Sequence, residues 1–173
     1  PHVTQFDIAD VTELEASRKR YVGRKKAATA ARAANTPPPA EGVQNTSPPG
    51  PTAPAMTMTV LLLKAVARVL RQYPRFNASF DAATGELILK QYYHIGVAVD
   101  TEHGLIVPVV RDVDKKGLLQ LAAELDDLAA RARQRKVDLE ELRGGTFTIS
   151  NLGGLGGTGF TPIVNYPEVA ILG

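Results

Sequence analysis

The chain has 173 residues, of which 44% are hydrophobic and 22% are charged, and its formal net charge is +2. This composition is typical of a soluble globular domain, and so small a net charge gives no support to a nucleic-acid-binding function. The absence of cysteine excludes disulfides, thiolate metal ligands and a thiol nucleophile.

The histidines and the apolar segments bear on two further classes, metal-binding and membrane proteins. His2, His94 and His103 lie far apart and lack the close spacing of a zinc motif, so no metal is predicted. The longest apolar runs contain only a few residues, which is too short to cross a bilayer, so no membrane association is predicted.

The first third of the chain predicts a strand, a long helix and a loop, in that order. The alternating segment HVTQFDI predicts the strand. Asp10 followed by Glu13 predicts a capping box, with a helix over about 11–33. The second half of this helix is strongly basic, which is typical of a solvated face or of a site for a polyanion or phosphorylated ligand. Residues 35–55, rich in proline and small polar residues, predict a flexible loop.

Helices and strands alternate in the rest of the chain. Amphipathic helices are predicted over 57–73, ended by Pro74, and over 118–135. The predicted strands are residues 77–80, 87–89, 94–99, 105–110, 145–150 and the buried segment 168–173, with turns at 82–85 and 100–104. This order predicts an α/β or α+β domain with a mixed sheet.

A glycine-rich segment follows the strand that ends at Ser150. Gly154, Gly156 and Gly159 satisfy the pattern G-x-G-x-x-G, which in dinucleotide-binding folds precedes a helix. The next residues, FTPIVNYPE, are rich in β-formers and interrupted by two prolines, so no helix is predicted there. The segment is more typical of a loop that needs positive φ angles or close backbone approach.

Four polar residues are candidates whose roles the pattern alone leaves open. Ser150 could be a nucleophile, an oxyanion donor or a turn residue, and without a G-x-S-x-G elbow the turn residue is favoured. His94 and His103 could be general bases, but a hydrogen-bonded strand histidine and a solvated turn residue are the simpler interpretations. Asp100 is most simply a turn former.

Three long segments resemble one protein family. They are PHVTQFDIADVTELEASRK, HIGVAVDTEHGLIVPVVRDVDKKGLLQLAAEL and GGTFTISNLGGLGGTGFTPIVNYPEVAILG. Together they resemble the catalytic domain of dihydrolipoamide acyltransferases, the core subunits of 2-oxoacid dehydrogenase complexes, over nearly all of residues 1–173. The first and last segments are most similar to the acetyl members, which serve pyruvate dehydrogenase.

The resemblance implies a fold, ligands and partners. The implied fold is the α+β two-layer sandwich of chloramphenicol acetyltransferase, a mixed sheet with flanking helices. The implied ligands are coenzyme A and a lipoyl group on a separate domain, without a metal. The implied assembly is a homotrimer that builds a cubic or dodecahedral core with lipoyl domains, the 2-oxoacid dehydrogenase and dihydrolipoamide dehydrogenase. Such complexes lie in the bacterial cytoplasm or the mitochondrial matrix.

The resemblance also assigns site residues one by one. Ser150 matches the family's oxyanion donor. Four residues match positions that contact coenzyme A in the family: Arg18 in the first helix, Thr57 at the start of the second, Asp100 in the DT-x-x-G turn, and Asn151 after the serine.

Two departures from the family pattern bear on the site. The proline-rich loop replaces a short basic connection just before Thr57, and we expect it to border the entrance for coenzyme A. The family's general base is a histidine in an H-x-x-x-D-G or H-x-x-x-N-G motif beyond the EVAILG strand, and none of the three histidines here has that motif. The sequence therefore predicts a catalytic domain without its C-terminal segment. The alternative is a non-catalytic relative or fragment that only assembles the core.

Overall fold

A computed structural model describes residues 3–34, 54–152 and 159–173 of the chain. The helices are α1 (Thr12–Ala34), α2 (Met58–Gln72) and α3 (Leu118–Arg133). The strands are β1 (Ala78–Asp81), β2 (Glu86–Leu89), β3 (Ile95–Val97), β4 (Val99–Thr101), β5 (Gly104–Ile106), β6 (Val109–Val110), β7 (Phe147–Ile149) and β8 (Ile171–Leu172). Most of the predicted proline-rich loop and of the glycine-rich segment lies outside the described residues.

The predicted strand at the start of the chain is wrong. Residues 3–11 have no regular secondary structure, and the side chains of Val3, Phe6 and Ile8 are exposed. Alternation stabilises a strand only where a neighbouring strand accepts its backbone hydrogen bonds and its apolar face is buried. The helix that follows begins one residue later than predicted, and the Asp10 carboxylate accepts a hydrogen bond from the Thr12 amide at 2.9 Å.

Helix α2 forms as predicted because its apolar residues recur at helical spacing. Val60, Leu63, Ala67 and Leu70 are buried on one face. Thr57 caps the N-terminus, its side chain accepting a hydrogen bond from the backbone N–H of Val60. The helix ends just before Pro74, which begins a short 3₁₀ turn.

A four-stranded mixed sheet has the strand order β6-β3-β7-β8. Strand β3 pairs antiparallel with β6 and parallel with β7, and β7 pairs parallel with β8. Strand β8 is an edge strand in which Ile171 is half-buried and Leu172 exposed, so the predicted burial of this segment is wrong. An apolar run does not by itself distinguish a central strand from an edge strand.

The core lies between this sheet and the helices α2 and α3, which makes two layers. Ile95 and Val97 of β3 and Phe147 and Ile149 of β7 belong to one buried cluster with both helices. Gly96 and Thr148 alternate with them and are paired across the strands, so they face the other side of the sheet.

Two hairpins complete the structure, β1 with β2 and β4 with β5. The predicted single strand over 94–99 is divided into β3 and β4, and the predicted strand over 105–110 is divided into β5 and β6. Pro108 lies at the second division, where it has no N–H to donate to a neighbouring strand and its carbonyl accepts from the Val97 amide at 2.9 Å.

Candidate functional site

A cavity of about 680 Å³ lies where four elements meet: the N-terminus of α2, the strand β4, one face of α3, and the end of β7. Thr57, Asp100, Ser150 and Asn151 all line it. These residues lie up to 94 positions apart, from Thr57 to Asn151, so only the tertiary structure brings them together. The volume is within the range of about 300–1,000 Å³ that is typical of small-molecule sites.

Ser150 lies directly beyond the last residue of β7. Its amide donates to the carbonyl of Leu172 in β8 at 2.8 Å, which fixes the backbone from which the side chain projects. The side chain is half-buried, and within the described ranges its hydroxyl makes no hydrogen bond. A hydroxyl fixed at a cavity wall without an internal partner can donate to a ligand.

Asn151, just beyond the end of β7, contacts the first turn of α2, and Thr57 lies at the N-terminus of the same helix. The Asn151 amide nitrogen lies 3.4 Å from the hydroxyl oxygen of Thr59, a long contact across the cavity wall. Thr57 keeps its structural role as the N-cap of α2 while lining the cavity.

Asp100 is not the turn former that its position in the sequence indicates. It lies within β4, opposite Leu105 of β5, and its side chain is exposed. Thr101 forms the turn instead: its hydroxyl donates to the carbonyl of Gly104 at 2.6 Å and accepts from the amide of His103 at 3.3 Å. Asp100 is therefore left to contribute its charge to the cavity.

Arg18 does not line the cavity. Its guanidinium pairs with both carboxylate oxygens of Glu15 at 2.7 Å and donates to the carbonyl of Met56 at 2.9 Å. Because Met56 directly precedes Thr57, this contact ties α1 to the segment that forms one wall of the site.

One face of α3 supplies residues that the sequence analysis missed. Leu125, Asp126, Ala129 and Arg133 line the cavity at helical spacing. Asp126 accepts a hydrogen bond from the amide of Ala55 at 2.7 Å and so fixes the segment before Thr57. The periodicity of α3 identifies this face, but nothing in the sequence shows that it borders a cavity rather than solvent.

Neither described histidine lines the cavity. His94 accepts a hydrogen bond at Nδ1 from the amide of Asp112 at 3.0 Å, and its burial lowers its pKa. His103 is exposed in the turn after β4. The interpretations as a hydrogen-bonded strand histidine and a solvated turn residue are confirmed.

The prediction that no helix follows the glycine-rich segment is also confirmed. Residues 159–165 have no regular secondary structure, so a dinucleotide site of the G-x-G-x-x-G type would have no helix N-terminus here to hold its diphosphate. None of the described helices combines the length and apolar character that a membrane span requires.

A second cavity of about 540 Å³ opens on the other side of the sheet. Glu168 lines it, and burial raises the pKa of its carboxyl, partly offset by a hydrogen bond with Thr148. None of the predicted site residues lines this cavity.

Comparison with known proteins places the whole chain in one family. Residues 1–173 match the family described as "2-oxoacid dehydrogenases acyltransferase (catalytic domain)". The chain is 51% identical, over all 173 residues, to the dihydrolipoyllysine-residue acetyltransferase component of the pyruvate dehydrogenase complex of Pseudomonas aeruginosa. It is 50% identical to the corresponding component of Azotobacter vinelandii. The chain spans 27% and 23% of the length of these two relatives.

Solved structures show the same similarity in three dimensions. The chain matches the dihydrolipoamide acetyltransferase of Azotobacter vinelandii, studied for the role of a serine, a histidine and an asparagine in its catalytic mechanism. The TM-score is 0.79 at 48% identity, over 99% of this chain and 60% of that one. It also matches a structure of the cubic core of the pyruvate dehydrogenase multienzyme complex, with a TM-score of 0.80, 48% identity and the same coverage. The predicted fold, like that of chloramphenicol acetyltransferase, is confirmed.

Proposed function

The chain belongs to the 2-oxoacid dehydrogenase acyltransferases, within their catalytic domain, and from this we propose that it forms the acyl-transfer site of a dihydrolipoamide acetyltransferase. The reaction is the transfer of an acetyl group between the thiol of coenzyme A and a dihydrolipoyl group carried on a separate domain. The observation that carries the proposal is the convergence of Thr57, Asp100, Ser150 and Asn151 on one cavity.

Ser150 acts as the oxyanion donor. The acceptor thiolate attacks the thioester carbonyl, a new carbon–sulfur bond forms, and the carbonyl π electrons move to oxygen. The resulting tetrahedral oxyanion accepts a hydrogen bond from the Ser150 hydroxyl. Collapse restores the carbonyl and breaks the original carbon–sulfur bond, and the departing sulfur takes a proton. A single donor of this kind contributes roughly 10²–10³-fold to the rate.

The general base is not among the described residues that line the cavity. A free thiol has a pKa of about 8.5, so a base that removes its proton raises the reactive thiolate fraction and contributes about 10²–10⁴-fold. His94 uses Nδ1 to accept from a backbone amide, and His103 is exposed away from the cavity. We assign the base to a family histidine motif that the 173 residues do not contain.

Coenzyme A is the substrate assigned to the cavity. Thr57 and Asn151 supply a hydroxyl and an amide, and Asp100 supplies an acceptor for an N–H or O–H of the ligand. Arg18 acts indirectly on this site, because its guanidinium donates to the carbonyl of Met56, the residue before Thr57. Its guanidinium is already paired with Glu15, which argues for positioning rather than direct contact with phosphate.

The proposed assembly follows from the family resemblance. The chain forms a homotrimer that builds a larger core, and the match to a cubic core supports this arrangement over the dodecahedral one. Lipoyl domains, the 2-oxoacid dehydrogenase and dihydrolipoamide dehydrogenase are the proposed partners. The bacterial origin of the relatives supports a cytoplasmic complex rather than one of the mitochondrial matrix.

Replacing Ser150 by alanine in the full-length protein tests the mechanism. The Ser150→Ala variant should transfer acetyl groups roughly 10²–10³-fold more slowly, since the oxyanion loses its donor. KM for coenzyme A should change much less than kcat, because the interaction forms only in the transition state.

Ser79→Ala is the matched control, since Ser79 lies in β1 and does not line this cavity. It should leave the rate unchanged. Equal rates in wild type and Ser150→Ala would remove Ser150 from the chemistry. Loss of the assembled core in Ser150→Ala would instead point to a structural role.

A further inference from the structure

The charged side chains that line the cavity are acidic, and so would repel an anionic ligand, with one exception. Asp100 and Asp126 are both acidic, and Arg133 is the single cationic side chain among the described lining residues. If the cavity takes coenzyme A, as proposed above, the phosphate groups must be placed against a positive charge or remain in solvent.

Arg133 lies at the end of α3, at the far end of the lining face from Asp126. The two residues are seven positions apart, which corresponds to about 10 Å of helix at 1.5 Å per residue. Asp126 is fixed to the segment before Thr57 through the amide of Ala55. Arg133 therefore lies about two turns of α3 away from the cavity wall formed by the start of α2.

Two arginines of the last turn of α3 differ in their partners. Arg131 is held by Glu141 at 2.6 and 2.7 Å and by Asp127 at 2.8 Å, so its charge is used within the fold. Arg133 is exposed and, within residues 3–34, 54–152 and 159–173, makes no hydrogen bond or ion pair. A guanidinium at a cavity wall without a carboxylate partner can form a bidentate pair with a phosphate.

We infer that Arg133 binds a phosphate group of coenzyme A and so orients the ligand with its phosphates towards the end of α3. This inference rests on the proposed function, because it takes the ligand from it. The competing explanation is that Arg133 only interacts with the negative end of the α3 dipole, as basic residues in a last helical turn do. That role needs no ligand.

The two explanations predict different ligand dependence. If Arg133 binds phosphate, Arg133→Gln should weaken coenzyme A binding about 10- to 100-fold, as expected for the loss of a charged hydrogen-bonded pair. The same substitution should leave the affinity for pantetheine unchanged, because pantetheine carries the thiol arm without any phosphate. Arg133→Lys should recover only part of the affinity, since it keeps the charge and loses the planar fork.

Titration of the full-length protein, followed by NMR so that millimolar affinities are measured, gives both dissociation constants. Arg135→Gln is the matched control: it removes the same charge two residues away, outside the cavity lining, and should leave both affinities unchanged. Urea unfolding of each variant shows whether the fold is retained.

Three outcomes overturn the inference. Unchanged coenzyme A affinity in Arg133→Gln means that Arg133 serves only the helix dipole. Equal weakening of coenzyme A and pantetheine means that Arg133 shapes the cavity rather than binding phosphate. Failure of wild type to bind either ligand overturns the proposed function, and the role of Arg133 with it.

Discussion

Gly96 is the position where a single methyl group should disturb both the core sheet and the site. It lies in β3, which is paired with β6 on one side and with β7 on the other. A Cβ at this position would lie 2.8 Å from Cγ1 of Val107 and 2.9 Å from Oγ1 of Thr148. Non-bonded heavy atoms normally approach to about 3.5–4.0 Å, so Gly96→Ala creates two overlaps at once.

The fold has little room to relieve these overlaps. Thr148 is buried in the central strand β7, and its hydroxyl oxygen lies 3.4 Å from the side-chain amide nitrogen of Asn165. Overpacking of this kind costs about 1–3 kcal/mol. In a domain of this size each kcal/mol lowers Tm by about 2–4 °C, so Gly96→Ala should lower Tm by several degrees.

The same displacement should reach Ser150, which is two residues beyond Thr148. The carbonyl of Ile149 between them accepts from the Ala98 amide at 2.9 Å, so a shift between β3 and β7 moves the end of the strand. A misplacement on the order of 1 Å can cost about 10²-fold in rate. Acetyl transfer should therefore fall further in Gly96→Ala than the fraction unfolded explains.

Gly23→Ala is the matched control. Gly23 is exposed in α1, and nothing lies within 4 Å of the position that its Cβ would occupy. Alanine in an exposed helix interior is favoured over glycine by about 1 kcal/mol, so this variant should be unchanged or more stable. Thermal and urea unfolding of both variants measures the difference. A Gly96→Ala variant as stable as wild type would refute the packing argument.

Two further predictions concern pH. Burial lowers the pKa of His94, and its Nδ1 must be unprotonated to accept from the Asp112 amide. The stability that neutral His94 contributes is therefore fully present above its unfolded pKa of about 6.5. This stability is lost as the pH falls through the lowered folded pKa. Urea unfolding from pH 8 to 5 should show this loss in wild type and a smaller one in His94→Gln, and equal profiles would contradict it. The hydrogen bonds from Arg131 lower the pKa of Glu141 to about 2, so their contribution is present above about pH 4.5 and is lost between pH 4.5 and 2. Since both side chains are only half-buried, Glu141→Gln should cost only about 1 kcal/mol at pH 7, and a cost that persists at pH 2 would assign it to another cause.

Local patterns in the sequence were sufficient to predict most elements of the fold. Helices α2 and α3 formed where apolar residues recur at helical spacing, and the hairpin of β1 and β2 formed around its predicted turn. These features depend on interactions between residues close in the chain, which is why a pattern indicates them. The predicted first strand failed because a strand depends on partners that are distant in the sequence.

The site residues came from a resemblance, because the residues alone left Ser150 as a turn residue and Asp100 as a turn former. Both interpretations were reasonable locally: each residue lies at or near the end of a strand. Their chemistry depends instead on what faces them across the cavity, and that is set by α2 and α3, which belong to other parts of the chain.

By itself, the sequence determined where the helices and most of the strands form, the family to which the chain belongs, and the candidates Arg18, Thr57, Asp100, Ser150 and Asn151. Only the tertiary structure decided that four of these line one cavity. It also decided that Arg18 donates to the carbonyl of Met56 beside the cavity, and that Arg133 lines the same cavity. The physical reason is that local periodicity sets which face of an element is apolar, whereas a cavity is formed by the packing of several elements. The charges that meet there are brought together only when those elements pack.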